Sequence, residues 1–371
     1  LEKSPFNETG WYIYGAQDAQ GTFVVQSLGP RALFRLQPDE VVFGKKAAFN
    51  YIRKRAWAEI ATQKGRISSV LCLGKENGTS SAILNAINEW QEGDRALLIH
   101  VYGGIGGKKR EPAAATPIFF GHFAFGVADI VRDLLSDELR FDLRYHQVYT
   151  HNTDGLIAGT FHWSRYLGDR QFGWVGTRPI CDILIKHDAF IEDYDFNGSR
   201  RSPLDFMLMQ LQVMTSRYRT GDGTGGTYVG PANNCAQDSN QAFFASLRQL
   251  EHQLRTSTES LLRWRMQNPE QAQRFKQLLS LGKQLKLELQ PLGGPRSAWE
   301  RNEFNLGSTL EDNPIHNLMT GLGSWRTILP RHASDTLVRI FLNHGASIWV
   351  LRTNQLGGYD PSIEPIAPMT L

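Results

Sequence analysis

Tyr228-Val-Gly-Pro-Ala-Asn-Asn-Cys235-Ala-Gln-Asp-Ser-Asn-Gln241 is the stretch on which the reading of this chain turns. A glycine-rich approach, Gly221-Asp-Gly-Thr-Gly-Gly-Thr227, delivers one cysteine to the start of a helical pattern. Asn233 or Asn234 can cap that helix, since a side-chain oxygen accepts one of its unpaired amide protons. Phe243, Leu247, Leu250 and Leu254 then recur at helical spacing. A thiol at a helix start sits beside the positive end of the helix dipole, which favours thiolate over thiol. A small buried hydrophobe is the other role open to such a cysteine.

The two remaining cysteines read differently. Cys72 in Ser-Ser-Val-Leu-Cys-Leu and Cys181 in Pro-Ile-Cys-Asp-Ile-Leu-Ile lie inside apolar strand-like runs, where a thiol is inert. Three widely separated cysteines form neither a disulfide framework nor a metal site, and no His-Glu-x-x-His pattern occurs. No metal and no cofactor is expected.

Outward from this stretch the chain reads as mixed α and β. Trp11 to Leu36 alternates around Asp18-Ala-Gln-Gly21, a hairpin signal. Ala47 to Thr62 has a helical stripe, Ile67 to Leu73 is a short buried strand, and Asn77-Gly-Thr-Ser-Ser opens a helix through Trp90. Arg95 to Tyr102 is a strand. Gly103-Gly-Ile-Gly-Gly107 lacks the Gly-Lys-Ser/Thr of a phosphate loop and reads as a surface loop. Pro117 to Asp129 is a central strand with His122 in it, flanked by Gly121 and Gly126, which signals close packing. Leu139 to Thr150 alternates as an antiparallel neighbour, His151-Asn-Thr-Asp-Gly155 is a turn signal, and Leu156 to Trp163 returns. Arg178 to Asp188 is a fourth strand and Leu204 to Thr215 a helix. Helices fill Thr256 to Gln290, Pro291-Leu-Gly-Gly-Pro295 breaks them, and a helix from Ser334 and a strand from Ala346 follow.

The expected fold class is therefore α+β: an antiparallel sheet with the Cys235 helix packed on it, a mixed N-terminal region and a helical C-terminal region. A chain of 371 residues is long enough for two or three domains. The expected divisions are 1–102, 103–255 and 256–371, the last ending in a proline-rich linker. A net charge of +3, with 21% charged and 41% hydrophobic residues, sets up no field that implies nucleic acid. No run reaches the ~18–20 apolar residues of a membrane span. A cytoplasmic or cytoplasmic-facing location is the expectation, and the sequence leaves the oligomeric state open.

Thiol catalysis needs a base beside the sulfur, a group that orients the base, and amide donors for the oxyanion. The order His122, then a polar residue on the next strand, then Cys235 at a helix start resembles the circularly permuted papain-like cysteine hydrolases and acyltransferases. It rests on Gly121-His122-Phe-Ala-Phe-Gly126 and Asn233-Asn234-Cys235. The resemblance covers roughly residues 117–255 and implies Cys235 as nucleophile, His122 as base and His151 as orienting residue, with His146 or Asn152 as substitutes. It implies the Cys235 amide, with Tyr228 or Asn234, as oxyanion site, and a peptide or acyl substrate. The sequence departs from the family in the long insertion between His122 and Cys235. The whole chain also resembles the soluble region of cyanobacterial proteins that carry a membrane-embedded CAAX-protease-type domain, which implies a membrane domain beyond the C-terminus. The competing expectation is a non-catalytic regulatory or scaffold domain in which Cys235 and His122 are structural.

Overall fold

The structure, a computed structural model, describes residues 5–58, 66–76, 78–102, 121–152, 155–166, 179–196, 199–220, 235–236, 239–240, 242–243, 245–247, 258–289, 330–354 and 369–370. Within these, one eight-stranded sheet organises the chain. Its strands are β3 (Glu40–Phe43), β4 (Arg66–Leu73), β5 (Arg95–Tyr102), β6 (His122–Arg132), β7 (Leu139–Asn152), β8 (Gly155–His162), β9 (Pro179–Lys186) and β12 (Ser347–Asn354). They lie in the order β3-β4-β12-β9-β5-β6-β7-β8. Every pair is antiparallel except β3 with β4, so the sheet is mixed rather than purely antiparallel. β1 (Trp11–Gln17) and β2 (Phe23–Pro30) form the expected hairpin, extended by β13 (Met369–Thr370). β10 (Tyr194–Phe196) and β11 (Ser199–Arg201) make a small separate ribbon.

Local chemistry accounts for several boundaries. Asp18 Oδ1 accepts the amides of Gln20 and Thr22 at 2.9 and 2.8 Å, and Gly21 takes the positive φ that closes the β1–β2 turn. Helix α3 (Ser80–Asn88) starts behind Thr79, whose Oγ1 accepts the amide of Ala82 at 3.3 Å. β5 is buried almost throughout, as a strand covered on both faces must be.

The two faces are covered differently. Leu97, Ile99, Val101, Phe123, Phe125, Val127, Ile183 and Val350 point to a helix-rich layer. That layer includes α2 (Lys45–Arg53), α5 (Asp188–Ile191), α6 (Pro203–Thr220), α7 (Thr258–Gln267), α8 (Pro269–Leu289) and α9 (Pro330–Asn343). Cys235, Ala236, Ala242, Phe243 and Leu247 belong to it as well, with Phe243 stacked on Phe125 at 5.5 Å. On the other face Leu98, Tyr102, Ala128, Tyr145, Leu184 and Trp349 pack against α1 (Arg31–Phe34), α3, α4 (Trp163–Tyr166) and Tyr12 of the hairpin.

The sheet draws strands from all three stretches expected as domains: β3 to β5, β6 to β9, and β12 from the C-terminal stretch. β12 is inserted between β4 and β9 along their full lengths, which ties the C-terminal stretch into the centre of the sheet. Gly103–Gly107, the break at 291–295 and the proline-rich end lie outside the described residues.

Candidate functional site

Strand parity places the histidine. Tyr102 pairs with His122 across β5 and β6, and Tyr102 belongs to the hairpin-side core, so His122 faces that side. The ring of Tyr102 lies 5.0 Å from that of His122. His122 is buried, as a strand-borne imidazole under a protein layer has to be hydrogen-bonded. Its partner is a side chain rather than a backbone carbonyl: Nε2 donates to Oε1 of buried Gln147 on β7. With Nε2 carrying the proton, Nδ1 is the basic nitrogen of the neutral ring. The Gln147 Nε2 group is buried and has no hydrogen-bond partner among the described residues.

Behind this pair lies a buried polar network that the sequence reading did not assemble. His100 on β5 is register-matched to Asp182 on β9, and its Nδ1 donates to Oδ1 at 2.6 Å. Tyr145 of β7 donates its hydroxyl to the other carboxylate oxygen at 2.7 Å. Tyr166 of α4 reaches His100 Nε2 at 3.3 Å. All four residues are buried. Burial and the adjacent Asp182 push the Tyr145 phenol well above its usual range, so it stays protonated and donates. The His100 and His122 rings are 6.1 Å apart. A signal did exist: His100 in Leu-Leu-Ile-His100-Val-Tyr and Asp182 in Ile-Cys-Asp182-Ile-Leu are polar residues inside apolar strands, which must pair to be tolerated. What the sequence withheld was that their strands are neighbours.

Cys235 sits elsewhere. It is helical and belongs to the core of the helix-rich face. The structure therefore does not bring Cys235 and His122 together on one face: the sheet lies between the helix-rich layer that holds Cys235 and the face of β6 that carries His122. Cys235 is 8% exposed while Cys72 and Cys181 are fully buried, and burial pushes the Cys181 thiol up to about 12 and the Cys72 thiol higher still. His146, expected as a substitute orienting residue, pairs with Phe125 and so lies on the Cys235 side. Its Nδ1 meets Thr160 Oγ1 at 3.1 Å, and burial with nearby Arg144 lowers its pKa to about 4, leaving it neutral near pH 7. It does not orient His122. Gln147 does, one residue further along and on the other face.

His151 and Asn152 fall in the last part of β7, paired with Leu156 and Gly155, and their backbone alone is described. Tyr228 and Asn234 lie outside the described residues. Two further histidines, one at the end of β8 and one just past β9, also have partners. His162 joins Asp142 at 2.9 Å and Ser164 Oγ at 2.7 Å beside α4, and His187 Nε2 donates to the His344 carbonyl at 3.2 Å.

Among the described residues no cluster of three or more His, Cys, Asp or Glu side chains could hold a metal ion. Among them, too, no helix is long and apolar enough to cross a membrane. Compared with protein-family models, with curated proteins and with solved structures, the chain matches none.

Proposed function

We propose that this chain is a thiol-dependent hydrolase or acyltransferase acting on an amide or ester bond. His122 is its general base, Gln147 the residue that positions that base, and Cys235 the nucleophile. The observation that carries the proposal is the His122–Gln147 pair. A buried imidazole is held through one nitrogen by an amide side chain on the adjacent strand, which leaves Nδ1 as the basic nitrogen. Nucleophilic thiol chemistry requires this base-plus-orienter unit. His122 is also the first residue of β6, at the end of the sheet. With the thiol on the opposite face, attack assisted by His122 requires the start of the Cys235 helix to reach around that end.

That requirement is testable by crosslinking. A His122→Cys variant, mildly oxidised, forms a disulfide with Cys235 only if the two Cβ atoms come within about 4.5 Å. Alkylation of the unmodified protein with iodoacetamide across pH gives the companion measurement. Cys235 is expected to react well below the unperturbed thiol pKa of ~8.5, with that advantage lost in His122→Ala. Absence of the crosslink together with an alkylation midpoint near ~8.5 in both proteins would remove the catalytic reading.

The second reading is a non-catalytic regulatory or scaffold domain. The separation of Cys235 and His122 onto opposite faces favours it, as does a His100–Asp182–Tyr145–Tyr166 network that is fully buried and internally bonded. There, His122→Ala lowers stability and leaves thiol reactivity unchanged.

A further inference from the structure

A second arrangement of chemically active groups lies where β7 and β8 meet α4. His162, the last residue of β8, pairs with Arg144 of β7, so Asp142, two residues along β7, is its diagonal neighbour on the same face. His162 Nε2 donates to Asp142 Oδ1 at 2.9 Å. Arg140 Nη1 and Trp163 Nε1 donate to the same oxygen at 2.9 and 3.2 Å. Burial acts to raise the Asp142 carboxyl, but its bonds and charges with His162 and Arg140 outweigh this and hold it well below the usual range. The carboxylate is therefore charged and can only accept, which puts the proton of the neutral imidazole on Nε2 and makes Nδ1 the acceptor.

Two groups of Ser164 converge on Nδ1. The hydroxyl donates at 2.7 Å and the backbone amide at 3.3 Å. The amide contact by itself would make His162 no more than a cap on the turn that opens α4. The hydroxyl contact and the charged carboxylate on the far nitrogen add what a cap does not need: a nucleophile, its base and the group that orients the base. Tyr14, whose ring lies 4.8 Å from that of His162, fixes the imidazole from one side. Compared with the usual serine relay the two ring nitrogens exchange roles, and the proton transfer is the same. Ser164 is 5% exposed and the His162 and Asp142 side chains 21% each, so the relay meets solvent through the imidazole.

We propose that Ser164 is a nucleophilic serine for carboxylic esters with an apolar acyl group, with His162 as its base and Asp142 positioning that base. Ser164 Oγ bonds to the ester carbonyl carbon as its proton passes to His162 Nδ1, and Asp142 stabilises the imidazolium that forms. Collapse of the adduct breaks the carbon–oxygen bond to the alcohol, which leaves with that proton. Water then adds to the acyl-serine, giving its proton to Nδ1, and the carboxylic acid departs as Oγ recovers the proton. Tyr14, 36% exposed beside the ring, supplies an apolar flank for the acyl group. Cys235, His122 and Gln147 take no part, so this proposal and the thiol one stand or fall separately.

An alkyl fluorophosphonate, which loses fluoride to an activated serine, tests it on the full chain. Mass spectrometry is expected to locate the adduct on Ser164, both in the unmodified protein and after alkylation of its thiols with iodoacetamide. Hydrolysis of para-nitrophenyl butanoate is expected, and its loss in Ser164→Ala. His162→Gln is expected to slow labelling about 100-fold or more. Asp142→Asn is expected to slow it at least about tenfold, and Asp142→Glu, which keeps a carboxylate, to recover part of that rate at unchanged circular dichroism. A residue that only braced the fold would not separate those two variants. The absence of an adduct on Ser164, ester turnover that survives Ser164→Ala, or labelling as fast in a folded His162→Gln protein as in the unmodified one overturns the proposal.

Discussion

Nδ1 of His100 donates to Oδ1 of Asp182 at 2.6 Å, between register-matched residues of neighbouring strands in the middle of the sheet. Asp182 is at the centre of the network because its second oxygen takes the Tyr145 hydroxyl at 2.7 Å. A carboxylate buried with both oxygens engaged is costly to form and costly to disturb.

Asp182→Ala is expected to destabilise the protein by about 3–5 kcal/mol, since it strips a buried polar cluster of its shared acceptor. Tyr145→Phe removes one donor and is expected to cost about 1–2 kcal/mol. Urea unfolding of both single variants and the double variant measures the coupling. Strict additivity would show that the two residues do not act as a unit.

Gly126 sits opposite Tyr145, and a Cβ there would run into the Arg144 carbonyl oxygen and come within 2.8 Å of Leu98 Cδ2. Neither β6 nor β7 can yield without breaking ladder bonds. Gly126→Ala is therefore expected to lower stability by about 2 kcal/mol or more. Thermal unfolding checks this, with Gly93→Ala as a comparison whose penalty comes from its positive φ and not from contact.

Burial raises the Asp335 carboxyl to about 6, with Arg331 and Arg53 only partly opposing the shift. The folded state thus holds the proton more tightly than the unfolded chain. Stability from this group is fully present below about pH 4 and is lost as pH rises through about 6, by at most about 2–3 kcal/mol. Asp335→Asn should flatten the stability–pH curve between those values. A curve that keeps its slope in the variant assigns the effect to another group.

Asp142 behaves in the opposite sense. Burial alone would raise its carboxyl, but the hydrogen bonds and charges of His162 and Arg140 more than offset this and hold it well below the usual range. Its contribution is present above about pH 4 and is lost as pH falls further. Acid unfolding of Asp142→Asn, measured by fluorescence, is expected to show a smaller loss of stability below pH 4 than the unmodified protein.

The β6–β7 turn presents Leu134 at 98% and Leu135 at 71% exposure. Asp133, whose Oδ1 accepts the amides of Leu135 and Ser136 at 3.1 and 3.0 Å, holds the turn in shape. Leu134→Ser is expected to change stability by less than ~0.5 kcal/mol. Asp133→Ala is expected to cost about 1 kcal/mol or more, because it leaves the Leu135 and Ser136 amides and the Nε of Arg140 without the acceptor they share. Chemical denaturation of the two variants separates the cases.

Local pattern alone determined most of the elements. Period-two alternation marked the β1–β2 hairpin and β7, because each residue's face is set by its parity along the strand, while an apolar run marked β6 and a turn signal marked the return of β8. A polar start marked α3, a Met- and Leu-rich run marked α6, and helical spacing marked the helices expected over 256–290. The polar residues inside apolar strands, His100, His122 and Asp182, were visible as groups that need partners. Only the tertiary structure decided which partners they met. The insertion of β12 between β4 and β9, and of β9 beside β5, joins residues far apart in sequence, and nothing local encodes that order. The same long-range packing put Cys235 on the helix-rich face, while the parity of β6 turned His122 to the other. A one-residue step along a strand reverses the face a side chain occupies, so candidate partners can be picked out in a sequence without their meeting being determined by it.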